Sequence, residues 1–206
     1  MIVLTFDTET TGLLKRGVKL SDTDNCPHAV QISSLLYDTE KDEILDVQDD
    51  IIKMKEGVTI PIESSNVHKI TEKISQEKGI PIKDSILRFI TNYERADMII
   101  GHNIEFDIKI IKVELERLGY INIFKSHETV HYCTLKLGIN ITKIETKNKK
   151  YKYPKLIELY EKLFNETPLN LHNSLIDVVC CFRCFYKMYF KKDVYEKNSD
   201  VKKIIL

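Results

Sequence analysis

Apolar residues along this chain fall into short β-branched runs and longer stretches with helical spacing. Ile2–Phe6 reads as a buried strand, and the nine residues from Ala29 to Tyr37 as a second. Glu43–Met54 alternates imperfectly and predicts a third. Short turns join the three, so they form an antiparallel meander. Residues 14–28 are polar and turn-rich, a connection after the first strand. Pro61–Thr71 predicts a short helix followed by a loop. Pro81 to Arg95 then predicts a helix with Ile82, Ile86, Phe89 and Ile90 on one face. Met98–Gly101 is a short buried strand. Ile104, Ile108, Ile111, Leu115 and Leu118 recur at helical spacing up to Gly119. Val130–Thr134 predicts a fifth strand. Leu156–Phe164 and Leu171–Phe190 are the last two helices. A meander followed by helix, strand, helix and strand makes an α/β fold, a mixed sheet covered on both faces.

Composition narrows the class without naming a ligand. The chain has 206 residues, 43% hydrophobic and 30% charged, as expected for one soluble globular domain. No repeat or Pro/Gly-rich linker divides it, so residues 1–190 are expected to form one domain and 191–206 a charged tail. The formal net charge is zero, so no global field draws the chain to nucleic acid or anionic lipid. Any polyanion must be held by metals or a local patch. One candidate patch is Lys136–Lys155, with seven Lys against one Glu and with Tyr151 and Tyr153 interleaved. The bland reading of that stretch is a solvated loop; the sharper one is a phosphate-contacting flank. No apolar stretch approaches a membrane span, and residues 1–6 lack a basic leader, so an intracellular, soluble protein without a membrane partner is expected. Cys26, Cys133, Cys180, Cys181 and Cys184 are expected to be reduced and buried. Cys181 and Cys184 lack the second pair a zinc site would need.

The chemistry lies in acidic residues that follow the strands. Side chains on a strand repeat every second residue, so Asp7 and Glu9 point the same way from the first strand. Two such carboxylates are stable when protonated, matched with basic residues, or holding a hard divalent cation. Asp107 follows Gly101-His102-Asn103 and enters a helix, where the N-terminus favours negative charge. His172 and Asp177 flank the opening of the last helix. Five residues turn roughly 140° beyond a full revolution, so His172 is assigned to the preceding loop and Asp177 to the helix, where both can meet over a common site.

The strings DTETTGL, HNIEFD and HNSLID resemble the three exonuclease motifs of the DnaQ-like (DEDD) superfamily. They are similar to the subgroup with a histidine five residues before the last aspartate (DEDDh), as in polymerase III epsilon-type proofreading exonucleases and ribonuclease T. The resemblance extends to AVQIS, to Glu63 and His68 with the following Lys69-Ile70-Thr71, and to Tyr153-Pro154-Lys155-Leu156. It implies a ribonuclease-H-like fold, a five-stranded mixed sheet flanked by helices on both faces. It implies that Asp7, Glu9 and Asp177 hold two divalent ions, Mg²⁺ or Mn²⁺, and that Asp107 assists directly or through water. His172 matches the general base. Thr10, Thr11, Leu13, Glu63, His68 and Asn103 match positions near the terminal nucleotide, although Lys69 stands where the family usually has glycine.

Such a site suits phosphodiester hydrolysis, since paired divalent ions about 3.5–4 Å apart serve both the attacking and the leaving oxygen. An imidazole with a pKa near 6.5 can take a proton at neutrality. The implied activity is release of nucleoside 5′-monophosphates from the 3′ end of single-stranded DNA or RNA. The alternative is a catalytically weak, nuclease-like binding module docked on a polymerase or nucleic-acid-processing complex; a homodimer partner is a further expectation. His127-Glu128-Thr129-Val130-His131 spells a zinc-protease string, but β-branched Thr129 and Val130 run into the fifth strand, and that motif needs a helix.

Overall fold

The computed structural model describes residues 1–125, 129–168 and 173–205. Five strands form one sheet: β1 (Ile2–Thr10), β2 (Ala29–Asp38), β3 (Glu43–Ile51), β4 (Met98–Gly101) and β5 (Val130–Cys133). Their order is β3-β2-β1-β4-β5. The first three strands are antiparallel neighbours, while β4 runs parallel to β1 and β5 parallel to β4. This is the mixed sheet of the ribonuclease-H-like fold. The strand that carries Asp7 is therefore central, paired on both edges.

Between β3 and β4 lie α1 (Ile62–His68), α2 (Glu72–Lys78) and α3 (Ile82–Glu94). Helix α4 (Ile104–Arg117) joins β4 to β5, and α5 (Thr134–Thr142), α6 (Leu156–Phe164) and α7 (Ser174–Phe190) follow. Alternation along β1 splits the core into two layers. Leu4 and Phe6 face α3 and α4, packing with Ile86, Phe89, Ile108 and Ile111. Val3 faces α7 with Tyr37, Val178, Phe182 and Phe185. Asp7 and Glu9 continue the α7 side, and Thr8 continues the α4 side.

The departures from expectation have physical causes. Strand β1 runs on to Thr10 rather than ending at Phe6, because β2 pairs with it as far as Glu9–Gln31 and Thr10–Ala29. Helix α2 is a short charged segment in which Thr71 caps the amide of Ile74, and its sparse apolar spacing hid it. Helix α5 occupies the start of the stretch read as a solvated loop. There Gly138 is buried in close packing, since a Cβ on it would lie 3.1 and 3.2 Å from the Pro154 and Leu159 side chains. Glycine weakens a helical signal in sequence, yet here it admits close packing. The start of the last helix, expected at Leu171, is seen at Ser174, where the Asn173 side chain accepts from the Ile176 amide at 3.3 Å.

Residues beyond Phe190 form α8 (Val194–Lys197) and α9 (Ser199–Lys203), with Val194 and Val201 fully buried against the α7 layer. Arg183 of α7 anchors this segment. Its guanidinium donates to Asp193 at 2.6 Å and to Glu166 at 2.7 Å, and contacts the hydroxyl of Tyr160. The rings of Phe164 and Tyr195 lie 3.9 and 4.0 Å from it. All five cysteines are buried free thiols, and burial pushes Cys180 up to about 12. Their environment is that of core packing. Among the described residues, no helix is long and apolar enough to cross a membrane.

Candidate active site

The sheet and α7 bring three of the predicted acids together. Asp7 and Glu9 project from β1, and Asp177 lies in the first turn of α7, whose positive end favours a carboxylate. One oxygen from each lies within 4.8 Å of the others. The Ser174 hydroxyl donates to the Asp7 main-chain carbonyl at 3.0 Å, fastening the start of α7 to the strand. Burial pushes Asp7 up to about 6, with Ser174 opposing the shift. Burial, then the charges of Asp7 and Asp177, push Glu9 up to about 8. Three acids this close cannot all ionise at neutral pH unless a cation compensates them. An all-oxygen donor set with that electrostatic demand fits a hard divalent ion.

Asp107 approaches from the opposite side of β1. It is 3% exposed, and its Oδ1 accepts from the Thr8 amide at 3.1 Å and the Thr8 hydroxyl at 2.8 Å. Burial raises its pKa well above the usual carboxylate range, the Asp7 charge adds to this, and the Thr8 bonds oppose it. Asp107 is thus electrostatically coupled to Asp7 but is not one of the three clustered acids. Thr8 had no signal in the sequence, because the bond spans 99 positions. His172 lies outside the described residues, as do His127 and Glu128 of the protease-like string. Val130 and His131 of that string belong to β5, so the helix required by the protease motif is absent there.

Of the residues expected near a terminal nucleotide, Thr10, Thr11 and Leu13 lie at the turn after β1 with α1 braced against it, whereas Asn103 caps α4 on a separate connection. Thr10 donates to the Gly12 carbonyl at 2.6 Å, and the Thr11 amide donates to His28 O at 2.9 Å. Ser64 of α1 donates to the Thr11 carbonyl at 3.0 Å. This bracing leaves Leu13 81% exposed. Glu63 and Asn103 are exposed, whereas His68 is 5% exposed. Its Nδ1 accepts from the Ile70 amide at 3.1 Å, which puts the ring proton on Nε2. Burial lowers its pKa, while the Thr10 main chain opposes the shift. Lys69 caps α1 at φ 64°, the left-handed region that favours glycine.

Beside Asp7 and Asp177 opens a cleft of about 610 Å³, walled by His102, Leu135 and the segment from Tyr153 to Ile157. The basic stretch therefore reaches the acidic site through its last residues. His102 lies in the HNIEFD string, where the sequence assigned it no role. Its Nε2 lies 3.1 Å from the Pro154 carbonyl and its Nδ1 3.0 Å from the Thr134 hydroxyl.

Burial lowers His102 to about 4; burial, then Arg117 and Lys55, lower His28 to about 4. An unfolded histidine titrates near 6.5. Between those values the unfolded chain binds protons that the folded chain refuses. The contribution of these two histidines is therefore complete above about pH 6.5 and is lost as pH drops toward 4, while Asp7 and Glu9, pushed up to about 6 and 8, act in the opposite sense in the metal-free protein. Melting temperatures of wild type, His28→Gln and His102→Gln compared across that window isolate the histidine part: each variant should lose less stability on acidification than wild type, by up to about one bound proton.

An acidic centre on the central strand of a ribonuclease-H-like sheet defines a nuclease-class protein. The chain matches the exonuclease (RNase_T) family model over residues 4–185, and it belongs to that family. Its fold is similar to that of E. coli exonuclease I bound to a dA16 oligonucleotide, with TM-score 0.72 and 14% identity over 98% of this chain and 45% of that one. Product-bound exonuclease I gives TM-score 0.70 and 14% identity over 95% and 45% of the two chains. A moderately thermophilic exonuclease I from Methylocaldum szegediense gives 0.66 and 15% over 95% and 42%. The chain thus spans less than half the length of these exonucleases. Among curated protein sequences, none matches it.

Proposed function

We propose that this chain is a metal-dependent 3′-to-5′ exonuclease that removes nucleoside 5′-monophosphates from the 3′ end of single-stranded DNA or RNA. The observation that carries this reading is the convergence of Asp7, Glu9 and Asp177 from two distant segments onto one point. Those three would hold two divalent ions, Mg²⁺ or Mn²⁺. When bound, such ions supply Lewis acidity at the scissile phosphate and stabilise both the attacking and the leaving oxygen.

Asp107 stiffens the site by binding Thr8 between the two β1 acids, and its negative field adds to the demand for cations. His172, five residues before Asp177, is the residue we assign as general base. The braced turn at Thr10 and Thr11 presents Leu13 as an apolar surface for the terminal base. Glu63 and Asn103 flank the nucleotide, and His68 acts by holding the turn. With zero net charge, the molecule gathers its substrate through this local site rather than a wide electrostatic footprint. The exonuclease unit is residues 1–190, with residues 191–205 packed onto it.

Matched single-stranded DNA and RNA oligonucleotides, labelled at the 5′ end and either free or blocked at the 3′ end, test the reading. A one-nucleotide ladder from free ends only, dependent on Mg²⁺ or Mn²⁺, is expected. Internal cleavage, or equal attack on blocked ends, would refute the polarity. No cleavage would leave the binding-module alternative in its place.

A further inference from the structure

The Tyr153–Ile157 wall of the cleft beside Asp7 and Asp177 is more carefully held than a solvated lysine-rich loop needs to be. Pro154 is buried, while Tyr153 and Lys155 on either side are exposed, Tyr153 by 57%. Two independent fastenings fix Pro154. His102, from the β4–α4 connection 52 positions earlier, donates Nε2–H to its carbonyl at 3.1 Å. The second is Gly138 of α5, where a Cβ would come within 3.1 Å of the Pro154 ring. The Lys155 amide is tied in turn to Glu158 at 2.7 Å. Two lysines of the same stretch are already paired, Lys152 with Glu158 at 2.6 Å and Lys136 with Glu105. Among the described residues, Lys155 makes no ion pair.

An exposed aromatic ring and an uncommitted ammonium, rigidly presented beside a phosphate-handling centre, are the two groups that single-strand binding uses. The ring stacks on a base of any sequence and the cation takes a backbone phosphate. The proposed terminal nucleotide lies at the turn after β1, whose residues do not line this cleft, whereas Asp7 and Asp177 do. This wall is then on the side of the strand that stays with the enzyme after cleavage. We propose that Tyr153 and Lys155 form a subsite for the nucleotide immediately 5′ of the scissile bond. Tyr153 stacks on its base and Lys155 pairs with its phosphate, while His102 and Gly138 position them through Pro154. The inference rests on the exonuclease reading and assigns part of its substrate grip to residues outside the acidic site.

The test uses the full chain with Mg²⁺ and two single-stranded oligonucleotides, one complete and one abasic at the penultimate position. Wild type should show a KM about 5- to 50-fold higher for the abasic strand, with kcat within about twofold. Tyr153→Ala should raise KM for the complete strand by a similar factor and be indifferent to loss of the base, the signature of a shared contact. Lys155→Ala should raise KM for both strands. Gly138→Ala, which asks Pro154 and Leu159 to give by a few tenths of an ångström, should raise KM in the same direction by a smaller factor without touching substrate, and His102→Ala should do so if it folds. If Tyr153→Ala keeps the full response to the missing base, or lowers kcat instead of raising KM, the subsite is wrong while the exonuclease reading stands. If wild type cleaves neither strand with Mg²⁺ or Mn²⁺, the exonuclease reading itself fails and the subsite falls with it.

Discussion

Asp7→Asn is expected to lower cleavage by at least about a thousandfold with either Mg²⁺ or Mn²⁺, and at the same time to make the metal-free protein more stable. Both effects come from the same geometry. Asp7 shares a 4.8 Å cluster with Glu9 and Asp177, and without a cation that closeness costs energy: Asp7 and Glu9 are pushed up to about 6 and 8. An amide keeps the shape and removes one charge. Relief of the repulsion should contribute about 1–2 kcal/mol, or a rise of about 2–8 °C in melting temperature for a chain of this size. Added Mn²⁺ should reverse the order. Wild type gains about 2.7 kcal/mol when the ion is at a hundred times its dissociation constant, and the variant gains far less. Thermal melts in chelator and in Mn²⁺, run beside an oligonucleotide assay, measure all three quantities. A variant less stable than wild type in chelator would show that Asp7 is a structural acid.

The second large effect is structural. Arg183→Ala should destabilise the fold by about 3–5 kcal/mol, because it removes one partner of a buried ion pair and strands the other. The guanidinium is 4% exposed and sits between the rings of Phe164 and Tyr195. Its two carboxylate partners are unequal. The Asp193 side chain is 14% exposed and that of Glu166 is 58% exposed. The Asp193 pair therefore dominates, and the Glu166 pair contributes within the small range of solvated ion pairs. Removing the guanidinium also empties the space between the two rings and releases the segment that carries Val194 and Val201. The melting temperature should fall by about 6–20 °C, and Glu166→Gln should cost well under about 1 kcal/mol. A loss below about 1 kcal/mol for Arg183→Ala would show that the segment after Phe190 holds without this anchor.

Features set by local periodicity were readable in advance. Met98–Gly101 was expected as a strand and is one to the residue, because an apolar run bounded by Asp97 and a turn leaves little choice. The shared orientation of Asp7 and Glu9 follows from strand parity, whether the strand ends at Phe6 or continues to Thr10. Asp177 was placed on the last helix and lies in its first turn. Contacts between distant residues left no trace in spacing. Thr8 with Asp107 and His102 with Pro154 span 99 and 52 positions, and neither involves a residue type that announces a partner. Helices α2 and α5 were missed for the opposite reason. Their local signal is weak, and tertiary packing around Ser75 and Gly138 supplies what propensity does not.

Diffraction from a crystal soaked in Mn²⁺, collected at the manganese absorption edge, addresses the acidic site directly. Anomalous density within coordination distance of Asp7, Glu9 and Asp177 is the predicted result, absent when Asp177 is replaced by Asn. Density elsewhere on the surface, with the three carboxylates bare, would contradict it.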